Sequence, residues 1–294
     1  MVAEISDLIC SFDPESLERL PVRKAEAMEG LGRRGRRIVG RIADTHGVLD
    51  PDAVDLSLVS AHLELQRLNE EFCTGLSVCK LLEPMIETAR SGGGRPIRVV
   101  EVGCGIGYLT RWLSARGDLR NMELVGYDFN PALVERARFA AALEGLRCRF
   151  ETGDALRADP EADIVISMGV LHHFHDDRLS SFFAATQASM TGFLHFDLRR
   201  TWLAPMGAWL FHRARMRTPL ARHDGVASAI RAHPTAVLML EAGEAAPEFA
   251  VAFDRPPAVP ITRVVAPVVG VRRPYQGDYI ARCGPKALRL EWVT

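Results

Sequence analysis

The chain has 294 residues, 48% of them apolar and 25% charged, which is enough to bury a large globular core. A formal net charge of −1 gives no overall field for holding nucleic acid or an acidic membrane surface, so we expect a small-molecule partner, with no nucleic acid and no membrane. The cysteines include no CxxC pair, the first ten residues are acidic where a signal peptide is basic, and no apolar run approaches the roughly 20 residues of a membrane helix. We therefore predict a cytoplasmic protein with reduced thiols.

Residues 1–90 predict a helical N-terminal cap, because leucine and valine recur there at three- and four-residue spacing without strand-like alternation. The arginines between positions 33 and 41 are interpreted as the solvated face of a helix rather than a phosphate contact. The stretch "SGGGRP" at residues 91–96 interrupts the helical pattern. We place the start of a second domain, residues 91–294, at this point.

Five apolar, β-branched runs alternate with helix-like segments after residue 96. They are "IRVVEV" (97–102), "MELVGYD" (122–128), "LRCRFET" (146–152), "ADIVISM" (162–168) and "GFLHFDL" (192–198). Strands separated by helices form βαβ units, so the predicted fold class is α/β, with a mostly parallel sheet and helices on both faces. "PEFAVAFDR" (247–255) and "YIARCG" (279–284) predict two late strands. The proline-rich stretch 255–278 between them predicts a long loop, an extra β element or a subunit contact.

The stretch "EVGCGIGYLT", residues 101–110, places Gly103, Gly105 and Gly107 at the end of the first of these strands. Such sheets bind ligands beyond the carboxyl ends of their strands, and glycines there let a ligand approach the main chain closely. A dinucleotide site of the GxGxxG type needs glycine or alanine at position 108, where this chain has Tyr108. The spacing therefore disfavours NAD.

Acidic residues follow the next two strands at the same edge. Asp128 ends the second strand in "GYDFNP", where its carboxylate can accept hydrogen bonds from both hydroxyls of a ribose. Asp154 follows the third strand in "TGDAL", where it can accept a hydrogen bond from an adenine amino group. Each acid alone is equally well explained as a loop cap, but their common register favours one binding site.

The motif series "EVGCGIG", "GYDFNP", "GDAL" and "VISMGVLHHF" resembles that of class I S-adenosylmethionine-dependent methyltransferases. It is most similar to the small-molecule branch that contains the ubiquinone and menaquinone methyltransferases. The resemblance covers roughly residues 95 to 200. It implies a Rossmann-like fold with an antiparallel final strand pair and S-adenosylmethionine as the cofactor.

The resemblance also implies individual roles at the cofactor site. Glu101 would order the glycine turn and the cofactor's amino group, Asp128 would hold the ribose diol, and Phe129 would flank the adenine. Asp154 with Ala155 would meet the adenine edge. The full implied set is Glu101, Gly103, Gly105, Gly107, Asp128, Phe129, Asp154, Ala155, Ser167 and Met168, of which the last two begin the methyl-transfer side.

The fourth strand leads into "LHHFHDD", residues 171–177, for which three interpretations stay open. Either His172 or His173 is a general base or substrate contact, or the pair caps the next helix and packs the loop, or the imidazoles and carboxylates bind a metal. Histidine titrates near neutral pH and suits removal of a proton from a hydroxyl or amine acceptor, so we assign His172 and His173 as catalytic. Adjacent rings in a loop rarely converge on one ion, so no metal is predicted, and His175 is expected at the surface.

Residues 199–225 predict an insertion on the substrate side. Trp202, Met206, Trp209 and Leu210 fall on one face of an amphipathic helix. This stripe predicts packing against the domain, a lid over an apolar acceptor, or contact with a membrane surface. Further polar candidates for the same cleft are Asp197, Arg199, His223 and Asp224.

Together these features predict an S-adenosylmethionine-dependent methyltransferase with a small-molecule acceptor, active in biosynthesis and specifically in secondary metabolism. A protein of the same fold that catalyses elimination or cyclisation, and a non-catalytic partner subunit, remain as alternatives. The intact Glu101, Gly103, Gly105 and Asp128 argue against loss of cofactor binding. The acceptor atom and the choice between a homodimer and a partner subunit stay open.

Overall fold

The first part of the chain is helical, as predicted, but it also contains two short hairpins. β1 (Ser11–Phe12) pairs with β2 (Arg19–Leu20), and β3 (Asp44–Thr45) pairs with β4 (Val48–Leu49), both antiparallel. Strands of two residues are too short to show alternation, which is why the sequence did not indicate them. The computed structural model describes residues 2–90, 94–116, 121–157, 161–175, 177–255 and 264–293. The helices of this part are α1 (Ile5–Ile9), α2 (Lys24–Ala27), α3 (Arg33–Val39), α4 (Pro51–Glu71) and α5 (Thr74–Arg90).

The β-branched runs after residue 96 form the main sheet, which has eight strands among the described residues. In chain order they are β5 (Ile97–Val102), β6 (Met122–Asp128), β7 (Arg149–Thr152), β8 (Ile164–Met168), β9 (Gly192–Leu198), β10 (Phe249–Asp254), β11 (Val265–Arg272) and β12 (Leu290–Trp292). Their spatial order is β12-β10-β11-β9-β8-β5-β6-β7. The five strands from β7 to β9 are parallel, and β11 pairs antiparallel with both β9 and β10. The predicted Rossmann-like fold with antiparallel final strands is confirmed.

Helices cover both faces of this sheet. The residues of β5 and β9 are therefore buried or half-buried on both sides. One face packs against α5, α6 and α12, and the other packs against α8 and α11. Helix α7 packs beside β6 and β7. The helices after residue 96 are α6 (Tyr108–Ala115), α7 (Pro131–Leu143), α8 (Asp177–Thr186), α9 (Ala204–Arg215), α10 (Pro219–Arg231), α11 (Thr235–Ala245) and α12 (Gln276–Cys283).

Helix α5 differs from the helices that precede it. Its buried face, which includes Val78, Leu82 and Met85, lies in the same hydrophobic core as β5 and β9. The prediction grouped this helix with the N-terminal cap, but its packing places it with the sheet. Helices α1 to α4 instead share a separate apolar cluster, which also includes Ile106 of the glycine turn and Leu133 of α7.

The C-terminal region corrects one prediction. "YIARCG" is not a strand, because Tyr279, Ile280 and Cys283 belong to α12. Tyr279 and Cys283 are four residues apart, so they share one helical face and are buried against α5. The strand beside β9 is β11, which lies inside the proline-rich stretch. Residues 256–263 of that stretch lie outside the described residues.

The insertion forms two helices, α9 and α10, with different surroundings. Leu220, Ala221 and Ala227 of α10 are buried, and α10 contacts α1 and α4. By contrast, α9 has no buried residue, and the predicted stripe does not pack against the domain. The exposed members are Trp202 at 84%, Met206 at 63%, Trp209 at 48% and Leu210 at 64%. Within the part of the chain that the structure describes, no helix is both long and apolar enough to span a bilayer.

Candidate active site

The glycine turn follows β5 at the carboxyl edge of the sheet. Gly103, Gly105 and Gly107 all have left-handed backbone, with φ of 67°, 53° and 77°. Residues that have a Cβ rarely adopt this backbone conformation. A Cβ added to Gly105 would also lie only 2.7 Å from His62 Cδ2. His62 therefore reaches from α4 to the turn, a contact that no local sequence signal indicated.

Two buried carboxylates fix this turn. The carboxylate of Glu101 accepts hydrogen bonds from the amide and the hydroxyl of Thr110, at the start of α6. Burial raises the pKa of Glu101 to about 7. Asp128 Oδ2 accepts the Gly105 amide at 2.8 Å, and Asp128 Oδ1 accepts the Asn130 amide at 3.0 Å. Burial also raises the pKa of Asp128, although the nearby His62 opposes the shift.

Phe129 and Asp154 extend the same edge. The Phe129 side chain is 50% exposed, and its ring meets Phe12 of β1 edge-on with 5.5 Å between centroids. Asp154 and Ala155 are half-buried, and Asp154 Oδ1 accepts the Leu156 amide at 2.9 Å. The Gly153 amide donates to the main-chain oxygen of Asp128, so this loop lies beside Asp128.

These residues fit S-adenosylmethionine. The buried Asp128 carboxylate beside the Gly105 amide offers an acceptor for ribose hydroxyls, and the exposed Phe129 ring offers a flat surface for adenine. The fit depends on Gly103, Gly105, Asp128 and Phe129, which lie at the ends of two adjacent parallel strands.

Ser167 and Met168 point to opposite faces of β8. The Ser167 hydroxyl is fully buried and lies 2.9 Å from His195 Nδ1 on β9. The His195 ring packs against Phe182, and burial lowers the pKa of His195 to about 3, so this pair is neutral. Met168 is half-buried on the other face. The structure thus joins Ser167 to His195 inside the sheet and not to Gly105 or Asp128.

His172 is held by a carboxylate from the neighbouring strand end. It lies in a short 3₁₀ turn, Leu171–His173, after β8. His172 Nδ1 lies 2.7 Å from Asp197 Oδ1, and the His172 amide donates to Asp197 Oδ2 at 3.0 Å. Burial alone would raise the pKa of Asp197, but the His172 ring together with the amides of His172 and Leu198 brings this pKa below its ordinary value. Asp197 was a polar candidate of the sequence, and β9 places it against His172.

His173 meets the N-terminal part of the chain. Its Nδ1 lies 3.1 Å from Asp7 Oδ1, and its ring centroid lies 4.4 Å from that of His172. His175, expected at the surface, is half-buried, with its ring 5.0 Å from that of His233. Asp176 lies outside the described residues.

Glu4 completes this cluster, which we call the acceptor-side cluster (Glu4, His172 and His173). Glu4 Oε1 lies 3.6 Å from His172 Nε2, and Glu4 Oε2 lies 3.8 Å from His173 Nε2. Glu4 is buried, and this burial raises its pKa to about 7. Sequence reasoning missed Glu4, because it is separated from both histidines by more than half the chain and stands in no motif.

Helix α10 positions Glu4. Asp224 accepts the amides of Ile5 and Ser6 at 2.8 and 2.9 Å, which ties the start of α1 to α10. Ser228 Oγ donates to Glu4 Oε1 at 3.1 Å. The insertion and the N-terminal residues therefore meet at His172 and His173.

The other polar candidates of the sequence have separate partners. His223 Nδ1 lies 2.9 Å from Asp224 Oδ1 on the same helix. Arg199 is buried and donates to Asp254 Oδ2 at 2.9 Å. The structure therefore brings Asp197 and Asp224 to the acceptor side and pairs Arg199 with β10.

Comparison with known proteins gives consistent results. Residues 99–191 match the family model described as a methyltransferase domain. Trans-aconitate 2-methyltransferase of Mycobacterium marinum (strain ATCC BAA-535 / M) is 30% identical over 155 residues, which are 51% of this chain and 49% of that protein. A probable chloroplastic tocopherol O-methyltransferase of Oryza sativa subsp. japonica is 36% identical over 89 residues, which are 29% of this chain and 24% of that protein.

Among solved structures, the plantazolicin methyltransferase BpumL in complex with SAH shares the fold. Its TM-score is 0.53 at 9% identity, over 76% of this chain and 97% of that chain. This chain spans about half the length of the trans-aconitate 2-methyltransferase that it matches. The match over residues 99–191, the strand order and the glycine turn confirm the predicted family and its cofactor type. Residues 99–191 of this chain form a class I S-adenosylmethionine-dependent methyltransferase domain.

Proposed function

We propose that the whole chain is an S-adenosylmethionine-dependent methyltransferase that acts on a small-molecule acceptor. The observation that carries this proposal is the pairing of Asp128 with the Gly105 amide at the carboxyl edge of the sheet, within the matched region. When bound, S-adenosylmethionine supplies a methyl group on a positively charged sulfur, which needs no covalent enzyme intermediate.

On the cofactor side, the chain's residues bind and orient. Asp128 receives the ribose hydroxyls, Phe129 covers one face of the adenine, and Asp154 with Ala155 meets its edge. Glu101 keeps the turn and α6 in register through Thr110 and places a carboxylate near the cofactor's amino group. Alignment of the two reacting atoms is then the main contribution of the protein to the rate.

On the acceptor side, His172 and His173 act on the acceptor. Asp197 holds His172 Nδ1, which leaves Nε2 as the ring nitrogen that faces Glu4 on the acceptor side. The His172 side chain is only 6% exposed, so water is largely kept from this nitrogen.

A small-molecule acceptor is supported by the relatives and by charge. The matched relatives name trans-aconitate and tocopherol as acceptors. The net charge of −1 does not favour nucleic acid. The biosynthetic role, the cytoplasmic location, and a homodimer or partner subunit are further proposals that come from the sequence.

Calorimetric titration of S-adenosylmethionine and of its demethylated product tests this proposal. We expect saturable binding of both, and an affinity about 10²-fold lower in Asp128→Ala, because a charged hydrogen-bond acceptor for two hydroxyls is lost. Asp52→Ala, which removes an exposed carboxylate on α4, is the control and should bind like the natural chain. Thermal unfolding of each variant shows whether it is folded.

Two outcomes contradict the proposal. Absence of binding to the natural chain would favour the non-methyl or partner-subunit alternatives, and equal affinity in Asp128→Ala would place the cofactor elsewhere. If both ligands bind, an acceptor screen that detects the demethylated product separates methyl transfer from elimination or cyclisation.

A further inference from the structure

The acceptor-side cluster directs two imidazole nitrogens at one carboxylate. His172 Nε2 and His173 Nε2 lie 3.6 and 3.8 Å from opposite oxygens of Glu4. The three ligand atoms, one from each residue, lie within 4.8 Å of one another. Adjacent histidine rings in a loop rarely meet at one point by themselves. Here both Nε2 atoms lie near the same carboxyl group, that of Glu4, which comes from a distant part of the chain.

Both rings are also held from behind by carboxylates. Asp197 Oδ1 lies 2.7 Å from Nδ1 of His172, and Asp7 Oδ1 lies 3.1 Å from Nδ1 of His173. A carboxylate at Nδ1 keeps the imidazole proton on that nitrogen and leaves the lone pair on Nε2. Metal-binding histidines commonly donate one ring N–H to a carboxylate and bind the metal through the other ring nitrogen.

Three groups that can accept hydrogen bonds face one another at the centre of this cluster. Two Nε2 lone pairs that face a carboxylate repel it unless a proton or a metal cation lies between them. Asp7, Asp197 and Asp224 add further negative charge around Glu4. The guanidinium of Arg231 is turned mainly to Asp7, at 2.5 Å, and lies 3.8 Å from Glu4 Oε1.

The spacing suits a divalent transition-metal ion. Histidine nitrogens and carboxylate oxygens bind zinc at about 2.0–2.2 Å, so two ligand atoms of a tetrahedral site are roughly 3.3–3.6 Å apart. Glu4 Oε1 lies 3.6 Å from His172 Nε2, at the upper end of this range, and Glu4 Oε2 lies 3.8 Å from His173 Nε2, 0.2 Å above it. Two histidines and one carboxylate also leave a coordination position open, as in catalytic zinc and iron(II) sites.

We propose that Glu4, His172 and His173 bind one divalent cation of the zinc and iron(II) class. The role that follows rests on the proposed function: the open position takes an oxygen of the acceptor. An acceptor hydroxyl bound there would be more acidic and would give its proton to water as it binds. Its oxygen would then form a bond to the methyl carbon while the carbon–sulfur bond breaks and the demethylated cofactor leaves. The ion also ties α1 to the turn after β8.

The test uses the full-length chain after treatment with a chelator and desalting. Zn²⁺ is titrated by calorimetry and Co²⁺ by visible absorption, since the Co²⁺ spectrum reports the type and number of ligands. We expect one saturable site per chain, with nitrogen and oxygen ligation, and a rise in Tm on binding. Glu4→Gln and His173→Ala should each lower the affinity by more than about 100-fold, since a bound ligand matters at least as much as the groups that orient it.

A variant in the same loop is the matched control. His175→Ala removes an imidazole whose ring faces His233 instead of Glu4, and it should keep the full affinity. Glu4→Gln removes a charge from a cluster rich in carboxylates, so it should fold, and its Tm without metal is the check. The expected pattern is a metal-dependent rise in Tm in the natural chain that is absent in Glu4→Gln.

Three results would overturn the site: no saturable binding, equal affinity in the natural chain and Glu4→Gln, or a Co²⁺ spectrum with thiolate bands, which would indicate a cysteine. Titration of S-adenosylmethionine into the same samples distinguishes this inference from the proposed function. Cofactor binding without metal binding overturns the metal site alone, and metal binding without cofactor binding overturns methyl transfer alone.

Discussion

The cofactor side and the acceptor side of the molecule are assembled in different ways. The cofactor side is built from the ends of neighbouring strands, and its central contact joins Asp128 to Gly105, 23 positions apart. The acceptor side joins α1 to α10 through Asp224 and Ile5, which are 219 positions apart. A site made from local turns is visible as a sequence motif, whereas a site made from distant segments is not.

The two sides also differ in their chemistry. The cofactor side depends on backbone shape, with glycines in left-handed conformation and carboxylates that accept main-chain amides. The acceptor side consists of ionisable side chains that face one another, with Glu4 between two histidines. We therefore expect changes in the first to act through fold and cofactor affinity, and changes in the second to act on the acceptor.

The largest effect is expected for Gly107→Ala. A Cβ there would lie 2.5 Å from Phe150 Cε1 and 2.9 Å from Ala137 Cβ, and φ is 77°. Left-handed backbone costs roughly 1–2 kcal/mol for alanine and overpacking about 1–3 kcal/mol, so unfolding free energy should fall by about 3 kcal/mol.

Denaturant unfolding measures this change, and Gly145→Ala is the matched control. Gly145 has a similar φ of 65° but nothing within 4 Å of a built Cβ, so its variant should lose only about 1 kcal/mol. Equal losses of unfolding free energy in the two variants would show that Phe150 and Ala137 do not constrain the turn. They would also contradict the view that the cofactor side depends mainly on backbone shape.

The main sheet was predictable because its signals are local. "IRVVEV", "MELVGYD" and "GFLHFDL" match β5, β6 and β9 at both ends. "YIARCG" failed because tyrosine and isoleucine favour strands locally, whereas α12 is set by packing against α5. Tertiary contact, which a single sequence does not display, decided between helix and strand at this point.

The candidate site follows the same division. Asp128 and the glycines stand where the motif predicts them, at the ends of β5 and β6. Ser167 also stands at a strand end, but the pleat of β8 turns its hydroxyl towards His195. Glu4 had no signal at all, because only the docking of α1 on α10 brings it to His172.

Glu101→Gln tests the electrostatics of the cofactor side. Burial raises the pKa of Glu101 from 4.5 to about 7 in the folded chain. Between pH 4.5 and about pH 7, Glu101 keeps its proton in the folded chain but has lost it in the unfolded chain. The free energy of unfolding therefore falls as pH rises from 4.5 to about 7. Above pH 7 the ionised Glu101 lowers the free energy of unfolding by about 3 kcal/mol. The glutamine variant avoids this loss, and its amide oxygen still accepts the hydrogen bond from Thr110.

Unfolding free energies from pH 4 to pH 8 give the comparison. The natural chain and Glu101→Gln should be similar near pH 4 and should diverge by about 3 kcal/mol at pH 8, with the variant more stable. The variant should also bind S-adenosylmethionine more weakly, because a carboxylate near its amino group is lost. Parallel stability curves would mean that Glu101 is ionised at no cost. Glu4 has a raised pKa as well, so the difference between the two curves is the quantity to analyse.

The smallest effect on stability, and the sharpest test of the division, is expected for Asp224→Ala. The change removes the acceptor of two amides at the start of α1, a loss of about 1–2 kcal/mol. Because α1 carries Glu4, acceptor turnover and metal affinity should fall, while the affinity for S-adenosylmethionine should stay unchanged. Asp13→Ala removes a half-buried carboxylate that accepts amides only within its own loop, and it is the control. An equal fall in cofactor affinity would show that α1 supports both sides, because the helix would then hold the turn at Gly105 as well as the histidines.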